Sequence, residues 1–579
     1  MERRVLLAIS LSFLVLFAYQ TYFAPPLPAP SGTQPAAVTA PGIAGSAVVT
    51  AQPPAASTPA LPAAAAATVV VGESDERDIT VETRTVRAVF TNRGARLRHW
   101  VLKDYKNDNG QPLDLVPAAE NVNNALTPFS LRLDDPALAS KANGGLYRSP
   151  SPASVDATSS PATVAFEWQD ADGLRVMKSF TMEPDGYIVA VTVQASKGEQ
   201  MLNPGLDWGP GLGDDIAYSP RGGFFSPNYS TPAQALVHRE GSVARLTSTA
   251  PASESGPFLY AGVDDHYFTA LVLNDKANPA PLRFDHTPFV VPAKTEGGPA
   301  GHYVAFGVTF DTPQATQRFF FGPKAFDQLR AMDTEMVRVI NFGIFSWLAV
   351  PLLGALKWLH QYIGNWGWAI VALTVLINLA MFPLRQKSVT SMRKMQEIQP
   401  QMKAIQARYE KYKITDPERQ KMNEEVMALY KEKGVNPASG CVPMLLTMPF
   451  LFAFYSMLSQ AIEIRGADFF GWIVDLSRPD PLYITPILMG ATMFWQQKLT
   501  PTTADPIQQK MFLFMPVIFS VMFLWAPSGL VLYWLMSNIM TIGQQYLTNH
   551  LIGPPAKPLG GTSSERRAKA VGSASTLRK

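Results

Sequence analysis

Cysteine is almost missing from this 579-residue chain: Cys441 stands alone. A single thiol excludes an internal disulfide framework and leaves no cysteine cluster to hold a metal. At the head of an apolar run it reads as a small apolar residue, with a redox role as the other reading. Charge is scarce too, at 16% of residues, and neither a phosphate-cradling glycine loop nor metal-ligand spacing is evident. These absences argue against catalytic residues, a cofactor, a metal and direct nucleic-acid binding. The apolar runs of the last third carry no acidic residue at their centres and form no two related halves, which argues against a secondary transporter or channel.

What is present is uneven along the chain. Arg3 and Arg4 precede an apolar run from Val5 to Phe23 that ends in Tyr19, Tyr22 and Phe23. The run is long enough to span a bilayer, and its aromatic end suits the headgroup level, so residues 1–23 are expected to be a retained transmembrane anchor rather than a cleaved signal. Residues 24–72 are Ala, Pro, Thr and Ser with hardly a charge, a composition that cannot bury a core and predicts a disordered linker.

Residues 73–332 change character. Short alternating segments such as Val86-Arg87-Ala88-Val89-Phe90 and Tyr187-Ile188-Val189-Ala190-Val191 are separated by turn clusters such as Asn92-Arg93-Gly94 and Pro184-Asp185-Gly186. That pattern predicts an exported antiparallel β-sandwich domain, and about 250 residues bury an adequate core without disulfides. Asp264, Asp265 and His266 lie together. Acid–base chemistry is one reading of that cluster; a polar turn leading into the next strand is the other, since no nucleophile or second carboxylate is marked out nearby. A membrane-anchored, carbohydrate-active periplasmic protein that works through this domain is therefore an alternative for the whole chain. Deleting everything from Trp366 onward would leave such a protein functional.

Five more spans are expected, near Trp366–Leu384, Cys441–Ile462, Leu482–Gln497, Met511–Ala526 and Gly529–Tyr546. The run from Ile340 to Leu359 is ambiguous. It is apolar, yet it holds Pro351, Lys357, Trp347 and Trp358, and counting it as a span would put the very basic stretch from Arg385 to Gly440 outside the cell. Positive charge stays on the cytoplasmic side. Residues 333–363 are therefore expected to lie along the outer interface as an amphipathic helix, residues 364–548 to form the membrane core, and both termini, including the basic tail 549–579, to be cytoplasmic. Within the core, residues 385–437 read as a cytoplasmic helical hairpin. Met392, Met395, Gln399, Met402 and Ile405 share one face, Met422, Val426, Leu429 and Tyr430 another, and Thr415-Asp416-Pro417-Glu418 has the form of a helix start.

Two features bear on mechanism. The runs from Leu482 and Met511 are only about 16 residues, or roughly 24 Å of helix against roughly 30 Å of hydrocarbon. Either the bilayer thins around them, which lowers the barrier to a passing polar segment, or the helices extend into the headgroups. The second feature is polarity inside the spans: Thr374, Asn378, Thr447, Ser456, Ser459, Gln460, Ser537 and Asn538, with Arg385 seven residues beyond Asn378 on the same helix face. A wet inward-facing groove explains that stripe, and so does ordinary hydrogen bonding between helices.

Gly434-Val435-Asn436-Pro437, Gly440-Cys441-Val442-Pro443, Met448-Pro449-Phe450, Asp480-Pro481-Leu482-Tyr483 and Pro527-Ser528-Gly529-Leu530-Val531-Leu532-Tyr533-Trp534 together resemble the signature of the YidC family. Trp208-Gly209-Pro210-Gly211 and Asp265-His266-Tyr267-Phe268 resemble that family's large periplasmic domain. The resemblance implies a polytopic α-helical protein of a Gram-negative inner membrane, with six spans, five of them forming the core, that inserts and folds nascent membrane proteins. It implies a hydrophilic groove open to cytoplasm and lipid but closed to the outside, with the Sec translocon and its accessory subunits as partners. A ribosome reached through the basic tail is a further expected partner. Many members place an arginine in the groove; alignment puts Asn378 there, and Thr447 stands where glutamine is common. The expected client groove is Thr374, Asn378, Arg385, Thr447, Tyr533, Trp534, Ser537 and Asn538, with Arg385 supplying the missing positive field or Asn378 simply keeping the groove wet. For Tyr533 and Trp534, lining the groove and core packing both stand as readings.

Overall fold

The computed structural model describes residues 69–107, 109–116, 127–213, 231–246, 250–277, 279–291, 301–409, 412, 416–434, 442–500 and 506–553. The expected anchor, linker and basic tail lie outside these residues. The chain divides into two compact units, with the main boundary at Pro323.

Alternation of apolar and polar residues builds the first unit. In Leu174–Met182 the inward set is Leu174, Val176, Lys178, Phe180 and Met182; in Ile188–Lys197 it is Val189, Val191, Val193 and Ala195. These strands pair antiparallel along their length, and Ile188–Lys197 pairs on its other edge with Gln314–Pro323. They sit in a ten-stranded sheet, accompanied among the described residues by two five-stranded sheets. The expectation of a wholly antiparallel domain needs one correction: Asp78–Glu82 pairs in parallel with Ser154–Asp156. A chain segment that includes the helix α1, Pro136–Gly144, separates these two strands, so they are not joined by the tight hairpin that antiparallel neighbours share.

The core is aromatic. Trp208 stacks on Phe321 at 3.9 Å, Phe129 packs against Phe180 at 5.2 Å, and the Trp100 indole donates to the carbonyl of Phe321 at 2.8 Å. Lys178 is sealed among them, donating to the carbonyls of Gly94 and Phe129, each at 2.8 Å. Gly94, at φ +72°, makes that turn possible, since a Cβ there would come within 2.6 Å of the Asn143 carbonyl. Asp265 accepts the amides of Tyr267 and Phe268 at 2.9 and 2.7 Å, the geometry of a turn cap.

The second unit is helical: α2 (Phe326–Met332), α3 (Ser346–Ile363), α4 (Trp366–Arg408), α5 (Pro417–Glu432), α6 (Val442–Gln460), α7 (Ile484–Leu499), α8 (Pro506–Met522) and α9 (Ser528–Ile552). Its local sequence sets the breaks. Gly364 ends α3 in the left-handed region, and the Asn365 side chain caps α4 by accepting the amide of Trp368. Asp416 caps α5 from the amide of Glu418, with Pro417 in the first turn. Where the sequence suggests a span followed by a separate hairpin helix, α4 runs unbroken for 43 residues through Pro383 and Pro400. The last turns of α4 are held by α5: Tyr430 reaches the Met402 sulfur, and Glu425 accepts from Arg408 and Tyr409.

By length and composition, Gly343–Ile363 and Trp366–Arg408 can cross a membrane, while the apolar Phe512–Trp525 is shorter. α3 buries Ala349, Leu352, Leu353 and Leu356 on one face and exposes Trp347, Trp358 and Tyr362 on the other. Lys357 of α3 pairs with Asp327 of α2 and lies 3.6 Å from Glu463, which follows α6. α7, α8 and α9 expose Ile487, Leu488, Phe514, Val517, Leu547 and Leu551 outward, a band of apolar surface suited to lipid.

Candidate functional site

α9 packs against both α4 and α7, and the α4–α9 contact is where polar side chains collect. Thr374 is fully buried and donates to the Ile370 carbonyl of its own helix. Asn378 donates to the Thr374 carbonyl at 2.8 Å and turns its side-chain oxygen toward Arg385, whose Nη1 donates to it at 2.6 Å. The same Nη1 reaches Thr541 on α9 at 3.2 Å, and Thr541 in turn donates to the Ser537 carbonyl. Two helical turns separate Asn378 and Arg385, so the long arginine side chain runs back along α4 and delivers its guanidinium to the level of the asparagine. Among the described residues no carboxylate pairs with it.

The seam continues beyond Arg385. Thr548 donates to the Gln386 side chain at 2.6 Å, Gln544 donates to the Phe382 carbonyl at 3.4 Å, and Arg393 donates to the Gly553 carbonyl at 2.5 Å and to the Asn549 side chain. The sequence reasoning passed over these residues. Their signal was present: Ser537, Thr541, Gln544, Gln545 and Thr548 recur at three- and four-residue spacing, one face of one helix. Four of these five fall inside the expected span Gly529–Tyr546, and Thr548 lies just beyond it.

The remaining expected residues do not all join this seam. Asn538 faces α7, donating to Thr492 at 3.3 Å and to the Met489 carbonyl at 3.4 Å. Tyr533 is buried and stacks on Phe454 of α6 at 4.1 Å. Trp534 packs on Phe519 and Phe523 at 5.8 and 5.0 Å. The side chain of Thr447 lies outside the described residues.

The segment between α6 and α7 folds over the end of the bundle where α4, α7 and α9 begin. Asp480 gathers the Trp472 indole at 3.0 Å, the amides of Leu482 and Thr485 at 2.9 and 2.8 Å, and the Thr485 hydroxyl at 2.8 Å. Burial acts to raise its carboxyl; those donors outweigh burial and hold it below the usual range. Ser528 and Gly529 at the start of α9 donate to the carbonyls of Arg478 and Leu476, and Asn365 at the start of α4 donates to those of Asp468 and Phe469. Phe469 sits so close to Gly367 that a Cβ there would come within 2.1 Å of its ring. The polar seam is thereby covered at this end. Among the described residues there is no cluster of metal-ligating side chains.

Two family models match the chain: the YidC periplasmic domain over residues 78–355 and the 60Kd inner membrane protein over residues 358–554. The membrane protein insertase YidC of Syntrophus aciditrophicus is 34% identical, over 95% of this chain and 99% of its own length. That of Pelobacter propionicus is also 34% identical, over 95% of this chain and 100% of its own. A solved active YidC insertase, with its first transmembrane domain resolved, covers 83% of this chain and 95% of its own at 19% identity and a TM-score of 0.33. The two family models and the two relatives run across both units, and on them the chain belongs to the YidC family of inner-membrane proteins, with that family's β-rich periplasmic domain and helical C-terminal region.

Proposed function

We propose that the chain is a membrane protein insertase whose α4–α9 seam offers the polar flank of a client segment a partial, water-accessible path from the cytoplasm into the bilayer. One observation carries the reading: Arg385 brings a guanidinium back to Asn378 and Thr541, with no carboxylate partner among the described residues. A partly buried cation without a counter-ion is costly, and an acidic residue on an entering client would relieve that cost. Thr374, Asn378, Arg385 and Ser537 then form the client path, Thr447 and Asn538 border it, and Tyr533 and Trp534 close its outer end beneath the segment that covers it. The apolar part of the client moves into lipid along the exposed faces of the bundle.

The proposed topology has six spans and both termini in the cytoplasm. Residues 1–23 form the first span and 24–72 a linker; 73–332 lie in the periplasm, and 333–363 along the outer interface. Residues 364–548 are the insertase core with its hairpin 385–437, and 549–579 a cytoplasmic tail. This arrangement keeps the basic hairpin on the side where positive charge is retained. The exposed tryptophans of α3 suit an interfacial position as well as a crossing one. Clients are nascent membrane proteins, received alone or beside the Sec translocon and its accessory subunits, with the basic tail available to a ribosome.

The test is reconstitution of the full chain in liposomes, with a short membrane protein added from outside and its protease-protected fraction measured. The wild type should raise protection well above protein-free vesicles. Arg385→Gln should lower insertion of a client with an acidic translocated tail roughly three- to tenfold, the range of one partly buried charge pair. Undiminished insertion by that variant would remove Arg385 from the path.

A further inference from the structure

The α4–α9 seam holds a second arginine. Arg393 is 7% exposed. Its Nη1 donates to the Gly553 carbonyl and its Nη2 to the Asn549 side chain, both at the end of α9, while its Nε is buried with no partner. A guanidinium carries five N–H donors; here the two that are matched meet neutral oxygens only. No carboxylate among the described residues pairs with it, although Glu397 stands one turn away on the same helix.

Burying such a charge without a counter-ion is unfavourable unless something supplies the missing anion. Position says when that happens. Arg393 lies roughly 40 Å along α4 from Trp366 and roughly 12 Å beyond Arg385, which is headgroup depth on the cytoplasmic side of the proposed topology. Its cover is the last turn of α9, where Leu551 and Ile552 are exposed. A terminal turn opens at little cost.

We propose that Arg393 is a second cationic station at the cytoplasmic mouth of the seam, exchanging the oxygens of Asn549 and Gly553 for a carboxylate of the entering client segment before that segment reaches Arg385. This rests on the insertase reading above.

The experiment uses the full chain in liposomes with two versions of one short client, its translocated tail either acidic or with every Asp and Glu changed to Asn and Gln. Arg393→Gln should cut insertion of the acidic client roughly three- to tenfold and leave the neutral client within about twofold. Arg393→Lys, which keeps the charge but loses the planar fork, should restore most of the acidic client's insertion. Asn549→Ala, which removes a neutral partner and leaves the charge, should show no acid-selective loss. Equal losses for both clients, unrescued by lysine, would make Arg393 a mere tie between α4 and α9 and overturn the proposal. So would a loss that depends on phosphatidylglycerol in the vesicles and not on the client's tail, which would assign the bound oxyanion to lipid phosphate. A wild-type chain that inserts neither client overturns the insertase reading and this inference together; a wild type that inserts both, with Arg393→Gln indifferent to the tail, overturns this inference alone.

Discussion

Lys178 occupies an inward position of a strand where Val176 and Phe180 flank it, and its ammonium has three carbonyl oxygens, those of Gly94, Ala95 and Phe129, in place of a carboxylate. Burial pushes it well below the ordinary lysine range. Those carbonyls belong to a turn and to the approach to another strand, so the side chain ties separate parts of the domain together. Lys178→Met fills the volume but leaves buried acceptors unmatched, and should destabilise the β-rich unit by about 2–4 kcal/mol; urea unfolding followed by tryptophan fluorescence reads that directly. His99 is a milder case. Its Nδ1 lies 2.7 Å from Asp114, which raises it above its ordinary value of 6.5. A base raised in the folded state stabilises fully below that ordinary value and loses its contribution as pH climbs through the raised one. The pair is half exposed, so solvent screening limits the effect to under about 1 kcal/mol. Unfolding midpoints taken from pH 6 to 8 should drift downward in the wild type, and His99→Gln should remove that part of the slope.

At the scale of elements, helix length is the quantity with consequences. α7 has 16 residues and α8 has 17, so each covers about 24–26 Å, short of roughly 30 Å of hydrocarbon. A bilayer drawn in around them shortens the apolar distance a polar client flank must cross. Adding four leucines to each helix in one variant should lower insertion by several-fold without loss of the purified protein's helicity. Unchanged insertion at full expression would remove local thinning from the mechanism. α4 makes a complementary point. Because it continues unbroken into the hairpin, Arg393 and Arg385 ride on the same rod as the hairpin, while Pro383 stands between them and Asn378. Proline removes one backbone hydrogen bond and loosens a helix at that turn.

For the whole molecule, the expected order of spans makes the α4–α9 seam accessible from the cytoplasm and covered at the other end. In a Cys441→Ser background, single cysteines at 374 and 378 should react with a membrane-impermeant thiol reagent from the cytoplasmic side of inverted vesicles and stay unreactive from the periplasmic side. Protection from both sides would mean that the seam is dry and that its polar groups serve only to join helices. The β-rich unit is built as a separate compact body with its own aromatic core, which is why its short alternating strands were readable without reference to the helices.

Sequence by itself determined the local terms. Period-two alternation marked the strands, Asp416-Pro417 marked a helix start, and the apolar runs marked where helices of the C-terminal unit lie, because each of these depends on neighbours a few residues apart. Tertiary structure alone decided which polar groups meet. Thr374, Asn378 and Arg385 could be placed on one helix face from spacing, but not the return of the arginine side chain to the asparagine, nor the separate directions taken by Asn538, Tyr533 and Trp534. Arg393, which reads as one more charge in a basic loop, becomes a buried cation only because the end of α9 lies across it. The physical reason is that a helix fixes the angle of its own side chains, whereas a partner's identity depends on how two helices pack, and packing is set by contacts more than a hundred residues apart.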